Sequence, residues 1–145
     1  MNITSIRFLQ SAVVSSGVLT IENIGAGVGV ILFSPERRIA AGVHIMAPSS
    51  RATSGKNPVM YADTAIPFIL GELKKKGAGP PLSVAIAGGA GMMGSRNGTD
   101  IGDKVVEAVQ LALGTAGLTA KINKTGGSLV RNMVLDVDAG KIKVT

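Results

Sequence analysis

The chain contains one histidine and no cysteine, so the side chains able to do acid–base or nucleophilic work near neutral pH are few. His44 is the only group whose ordinary pKa lies close to 7. It sits at the end of an apolar run, Ile39 to Met46, which follows a second apolar run, Val28 to Phe33. Between them stands Ser34-Pro35-Glu36-Arg37, with Pro35 where a turn wants a pre-set φ. The spacing predicts a hairpin, and a hairpin returns His44 to the glycine cluster Gly25-Ala26-Gly27 that opens the first strand. A base facing a glycine-rich turn is the layout of an active site, yet no nucleophile stands in the cluster. With no second His or any Cys beside His44, a metal site is not expected.

The elements that must hold this hairpin follow from periodicity. Val28 to Phe33 is almost wholly apolar, as in a strand buried on both faces. Val13-Val14 and Val18 to Ile21 predict one or two strands, split by Ser15-Ser16-Gly17. Residues 47–58 form a long polar loop. Ala62, Ile66, Ile69, Leu70 and Leu73 recur at helical spacing over residues 60–76, and Lys74 to Lys76 before Gly77 mark its end. Pro67 requires either a helix that starts near Thr64 or a kink. Leu82 to Ala87 predicts a buried strand, Ile101 to Thr115 a second helix capped by Thr99 or Asp100. Strands over Leu118–Lys124, Leu129–Val137 and Lys141–Thr145 complete the chain. The order gives one α/β domain over residues 1–145, a mixed sheet with two helices packed on it.

Composition excludes several classes. The absence of Cys rules out a disulfide framework and a thiolate metal site. No stretch is long enough to span a bilayer and the N-terminus lacks the pattern of a signal peptide, so a cytoplasmic protein is expected. The formal charge is +6, but the basic residues are dispersed and aromatics make up only 3 % of the chain, which argues against nucleic-acid binding. Gly89-Ala90-Gly91-Met92-Met93-Gly94 spells a dinucleotide fingerprint, but Ser95 to Gly98 intervenes before any helix and no acidic residue ends the next strand. Glycines that let two backbones approach closely account for the motif more simply.

Taken together, these pieces resemble the CheD family of chemoreceptor glutamine deamidases. The family pattern has a strand with Thr, then L-G-S-C-V, a glycine and histidine on the next strand, a Y-A-D helix, a G-G-A loop, I-G-x-x-N, and T-G-G-x-x-x-R. Here the matching residues are Thr20, Ile24-Gly25-Ala26-Gly27-Val28, Gly42-Val43-His44, Tyr61-Ala62-Asp63, Gly88-Gly89-Ala90, Ile101-Gly102, and Thr125-Gly126-Gly127 with Arg131. The resemblance implies a CheD-like α/β sandwich without cofactor or metal. Its catalysis is attack of a thiolate on a glutamine side-chain amide, with His44 as base and Thr20 as the residue that orients it. The nucleophile's position is Gly27, the serine before it Ala26 and the family asparagine Val105. Thr20 stands one residue farther from the turn than the pattern places it. Gly25, Ala26, Tyr61, Gly89, Met92 and Arg131 are the residues expected to meet a substrate or partner. Three functions follow as alternatives: a CheD-like protein that binds a CheC-type phosphatase or chemoreceptor cytoplasmic segments without deamidating them; a deamidase whose cysteine has been replaced by glycine; or a small-ligand or nucleotide binder that uses the Gly-rich loop.

Overall fold

The structure is a computed structural model, and it describes residues 2–49, 57–91 and 101–145. Among these residues nine strands form two mixed sheets, so the fold is the expected mixed α/β class, with two sheets where element order suggests one. One sheet has the order β1 (Ile3–Ile6), β3 (Val18–Ile24), β8 (Arg131–Asp136), β9 (Lys141–Val144). The other has the order β2 (Ser11–Val14), β5 (Ile39–Ile45), β4 (Val28–Ser34), β6 (Ser83–Gly88), β7 (Ile122–Thr125). The helices α1 (Ala62–Lys75) and α2 (Ile101–Thr115) cover the outer face of the five-stranded sheet.

This layering explains the apolar run that reads as a doubly buried strand. Every residue of β4 is buried. Val28, Val30 and Leu32 pack in the core beneath the helices, whereas Ile31 and Phe33 pack in the core between the sheets. β5 pairs with β4 in the expected hairpin, from Val28 opposite Ile45 to Ser34 opposite Ile39. The turn is closed by the Ser34 hydroxyl, which accepts from Arg37 N–H at 3.2 Å, and by Arg38 N–H donating to Ser34 C=O at 2.8 Å.

α1 buries Ala62, Ile66, Ile69 and Leu73 of the predicted stripe and Ala65 besides, while the predicted Leu70 is half-buried at its edge. It begins at Ala62, two residues before Thr64, and Pro67 lies inside it. Pro67 is on the exposed face, where water can serve the carbonyl that its missing N–H leaves open. The Thr64 hydroxyl instead donates to the carbonyl of Pro58 at 2.6 Å, tying the helix to the single turn before it. Gly77 takes φ +83° and the Ala78 N–H reaches back to Leu73 C=O at 3.0 Å, the predicted glycine stop. α2 has the predicted bounds, and its cap residues Thr99 and Asp100 lie outside the described residues.

Two strand boundaries differ from the sequence reading. Leu118 does not start a strand: after Gly117 closes α2 in the left-handed region, Leu118 N–H bonds Leu113 C=O at 2.8 Å and its side chain plugs the helix end. β7 therefore begins only at Ile122. Leu129 and Val130 are exposed, and β8 begins at Arg131. β1 was not predicted. It is a short edge strand that pairs parallel with β3, from Ile3 opposite Val18 to Ile6 opposite Ile21, and only Ile6 of its residues is buried.

Candidate functional site

Three glycine clusters from distant parts of the chain meet at one end of the sandwich. The Gly25–Gly27 turn joins β3 to β4. Gly89 N–H donates to Gly27 C=O at 2.7 Å and Ala90 N–H to Gly25 C=O at 3.0 Å, so the loop after β6 is strapped to the turn. The same loop is tied on its other side, with Gly126 N–H on Gly88 C=O at 2.9 Å and Gly91 N–H on Gly127 C=O at 2.7 Å. At several of these positions a side chain has no room. A Cβ on Gly88 would lie 2.3 Å from Gly27 C=O, and one on Gly102, in the first turn of α2, 2.6 Å from Ala90 C=O. The glycines of this motif thus serve the close approach of backbones. Met92, Met93 and Gly94, the second half of the fingerprint, lie outside the described residues.

His44 stands beside this glycine end. It pairs with Gly29 across the β4–β5 hairpin and points into the layer between the sheets, as does Gly42 two residues earlier. A Cβ built on Gly27 would be 3.4 Å from His44 Nε2, so the hairpin brings the glycine turn and the base together. Gly27 itself has no left-handed φ, but its side-chain space is closed: the same Cβ would sit 2.5 Å from Ile45 C=O and 2.7 Å from Met46 Sδ.

The histidine is 4 % exposed, and its Nδ1 has no hydrogen-bond partner among the described residues. Phe8 meets it edge to face, ring centroids 5.5 Å apart. A cavity of about 440 Å³ opens beside it, lined also by Ser5, Arg7, Glu22 and Asn23. Sequence reasoning passed over this rim. Its signal was Glu22-Asn23 before the glycine turn: the β3–β8 register shifts between Ile21 and Ile24, and Asn23 takes φ +58°, a bulge that turns both polar side chains outward.

The remaining predicted site residues divide. Gly25 and Ala26 are half-buried in the turn, and Gly89 lies against it. Arg131 pairs with Ile24 at the turn, its Nε buried and without a partner among the described residues. Tyr61 is buried at the start of α1, bridged to Ala47 just beyond β5. Thr20 is not brought to His44. Leu19 and Ile21 face the inter-sheet core, so Thr20 between them faces the opposite side of its sheet, where its hydroxyl hydrogen-bonds Ser5 Oγ at 3.0 Å. The residue that does face the His44 layer is Ile21, the position one nearer the turn. Its Cδ1 would be 3.4 Å from a Cβ on Gly29, the residue opposite His44. An isoleucine offers Nδ1 no oxygen. Val105, on α2, is fully buried in the core between the helices and the five-stranded sheet.

Burial without a charged partner holds the His44 pKa below its ordinary value of 6.5. As pH falls below about 6.5, the unfolded chain takes up this proton before the folded one does. Stability from this group is thus complete above pH 6.5 and falls on acidification, by at most about 1.4 kcal/mol per pH unit, until the folded pKa is passed. Urea midpoints at pH 7.5 and 5.5 should differ accordingly, and His44→Leu should flatten the difference. Equal pH dependence in the two proteins would mean that His44 is not held neutral by burial.

Among the described residues no cluster of three or more His, Cys, Asp or Glu could hold a metal ion, and no helix is long and apolar enough to cross a membrane. What is present is a two-sheet α/β sandwich whose glycine-built end carries one buried imidazole. The family model for CheD chemotactic sensory transduction matches residues 46–145, beginning just past His44. A "Probable chemoreceptor glutamine deamidase CheD" of Methanococcus maripaludis is 36 % identical over 123 residues, covering 83 % of this chain and 80 % of that protein. The "Chemoreceptor glutamine deamidase CheD" of Thermotoga maritima is 37 % identical over 129 residues, covering 88 % and 81 %. The relative in Methanococcus vannielii, also named as a probable deamidase, is 38 % identical over 123 residues. The chain belongs to the CheD family.

Proposed function

We propose that this CheD-family chain is a cytoplasmic chemotaxis protein that binds chemoreceptor cytoplasmic segments, a CheC-type phosphatase or both, without deamidating them. The observation that carries the reading is Gly27. A covalent amide hydrolase needs a nucleophile within reach of its base, and the position next to His44 Nε2 has none, in a chain without cysteine. In a serine protease, removing the nucleophile costs on the order of 10⁶-fold in kcat. The second gap is at Nδ1, where a base needs a partner to fix its tautomer and Ile21 supplies no polar atom.

Recognition draws on other atoms. The strapped glycine loops, the Phe8 ring and the Arg7–Glu22–Asn23 rim are present, and none depends on a thiol. The reading of a deamidase that lost its cysteine by a simple exchange is less well supported, because Ile45 C=O lies 2.5 Å from where the cysteine Cβ would go and must shift to admit it. The nucleotide reading is disfavoured by the sequence, in which Ser95 to Gly98 separate the glycine fingerprint from α2.

The test pairs two assays on the same receptor segments. Ammonia release from receptor glutamines should stay at the uncatalysed level, while calorimetry with those segments or a CheC-type protein should show saturable binding. Time-dependent ammonia release that His44→Ala abolishes would overturn the first half. No heat at high micromolar concentration with either partner would overturn the second.

A further inference from the structure

A second cavity, about 270 Å³, opens between the two sheets at the end away from His44, beside the Ser34–Arg37 turn. Its origin is legible in β6. Val84 and Ile86 point to the helices, which leaves only Ala85 and Ala87 facing the other sheet. Elsewhere the small residues of the five-stranded sheet are compensated. The space over Gly42 is filled by Ile6 and Leu19, and that over Gly29 by Ile21, Ile24 and Met133. Around Ala85, itself buried, Phe33, Ile122, Leu135 and Ile142 form the apolar walls of a recess that opens at the rim.

Apolar walls of this kind favour the apolar part of a guest over water. The mouth is formed by exposed residues, and among the described residues Lys121 is the only charged one that lines the cavity. A lysine at such a rim can lay its methylenes along the apolar wall and keep its ammonium at the water boundary. We propose that this cavity binds a medium-chain monocarboxylate, with the alkyl chain between the sheets and the carboxylate on Lys121. The formal net charge of +6 favours the approach of an anion. The site is separate from the His44 end and does not rest on the function proposed above.

Octanoate and 1-octanol are the probes, titrated into the intact protein and followed by amide NMR. Octanoate should saturate in the millimolar range or below, with shifts centred on Ala85, Ile122 and Leu135. Lys121→Glu, a surface exchange, should weaken octanoate about tenfold and leave octanol unchanged. Ala85→Leu should fill the cavity and abolish both, with the melting temperature held or raised; if that variant does not fold, Ala85→Val should weaken both. Octanoate that leaves these amides unmoved at millimolar concentration overturns the site. Equal octanoate affinity in wild type and Lys121→Glu overturns the assignment of the carboxylate. A folded Ala85 variant with wild-type affinity overturns the location.

Discussion

Replacing Gly27 with cysteine is expected to yield a thiol that iodoacetamide alkylates near pH 6–7 about tenfold faster than a free cysteine, an advantage that His44→Ala removes. The Cβ would lie 3.4 Å from His44 Nε2, so the sulfur gains a proton acceptor at hydrogen-bond range. Pairing with an imidazolium lowers a thiol pKa from about 8.5, in some proteins by several units. Burial of His44 works against the pair, because it disfavours the charged imidazolium. The gain should therefore be moderate. The backbone also resists: Ile45 C=O at 2.5 Å from the new Cβ must move, at about 1–3 kcal/mol. Deamidation should not return in this single variant, since Ala26, Ile21 and Val105 still lack the polar atoms of the family pattern. A folded Gly27→Cys protein with an ordinary thiol, indifferent to His44→Ala, would mean that the glycine end and the imidazole are neighbours without a shared function. Efficient deamidation by the single variant would mean that the rest of the machinery is intact, against the reading proposed above.

Gly88→Ala should destabilise the protein by about 3 kcal/mol or more, whereas Gly25→Ala should stay within about 0.5 kcal/mol. Gly88 takes φ +117°, which a side chain rarely adopts, and its Cβ would fall 2.3 Å from Gly27 C=O and 2.5 Å from Ile24 Cγ2. Strain and overlap add here, because neither backbone can retreat without breaking the Gly89–Gly27 and Gly126–Gly88 hydrogen bonds. Gly25 belongs to the same cluster of motifs but has nothing within 4 Å of its Cβ position and no left-handed φ. Urea melts of the two variants separate a glycine required by packing from one that is not. Equal midpoints would refute the close-approach account of the motif.

Glycine motifs that serve packing are independent of the chemistry beside them. The G-G-A loop and the I-G of α2 are explained by backbones in contact, and the T-G-G turn by the left-handed φ of Gly126 and Gly127, so all three speak to the fold rather than to a reaction. The residues that would carry a reaction are side chains; Gly27 comes beside His44 only once the hairpin is in place, and Ile21 reaches Gly29, the residue opposite His44, only once the second sheet packs on the first.

The sequence by itself determined the hairpin and both helices. A continuous apolar run, a Ser-Pro turn and a glycine after a lysine-rich helix end are local signals, and local sterics and hydrogen bonding suffice to read them. It also held the alternation Leu19, Ile21 against Thr20, Glu22, which already assigns Thr20 to the face away from the core. A match of residue type to the family pattern pointed the other way. Because side chains alternate with period two, a shift of one residue moves a group to the opposite face of its sheet, and only the tertiary structure decided the matter by pairing Thr20 with Ser5. The same holds for β1 and for the division into two sheets. Neither is a property of a segment, since an edge strand with one buried residue is ordered by β3, and β3 by the apolar layer it shares with β4 and β5.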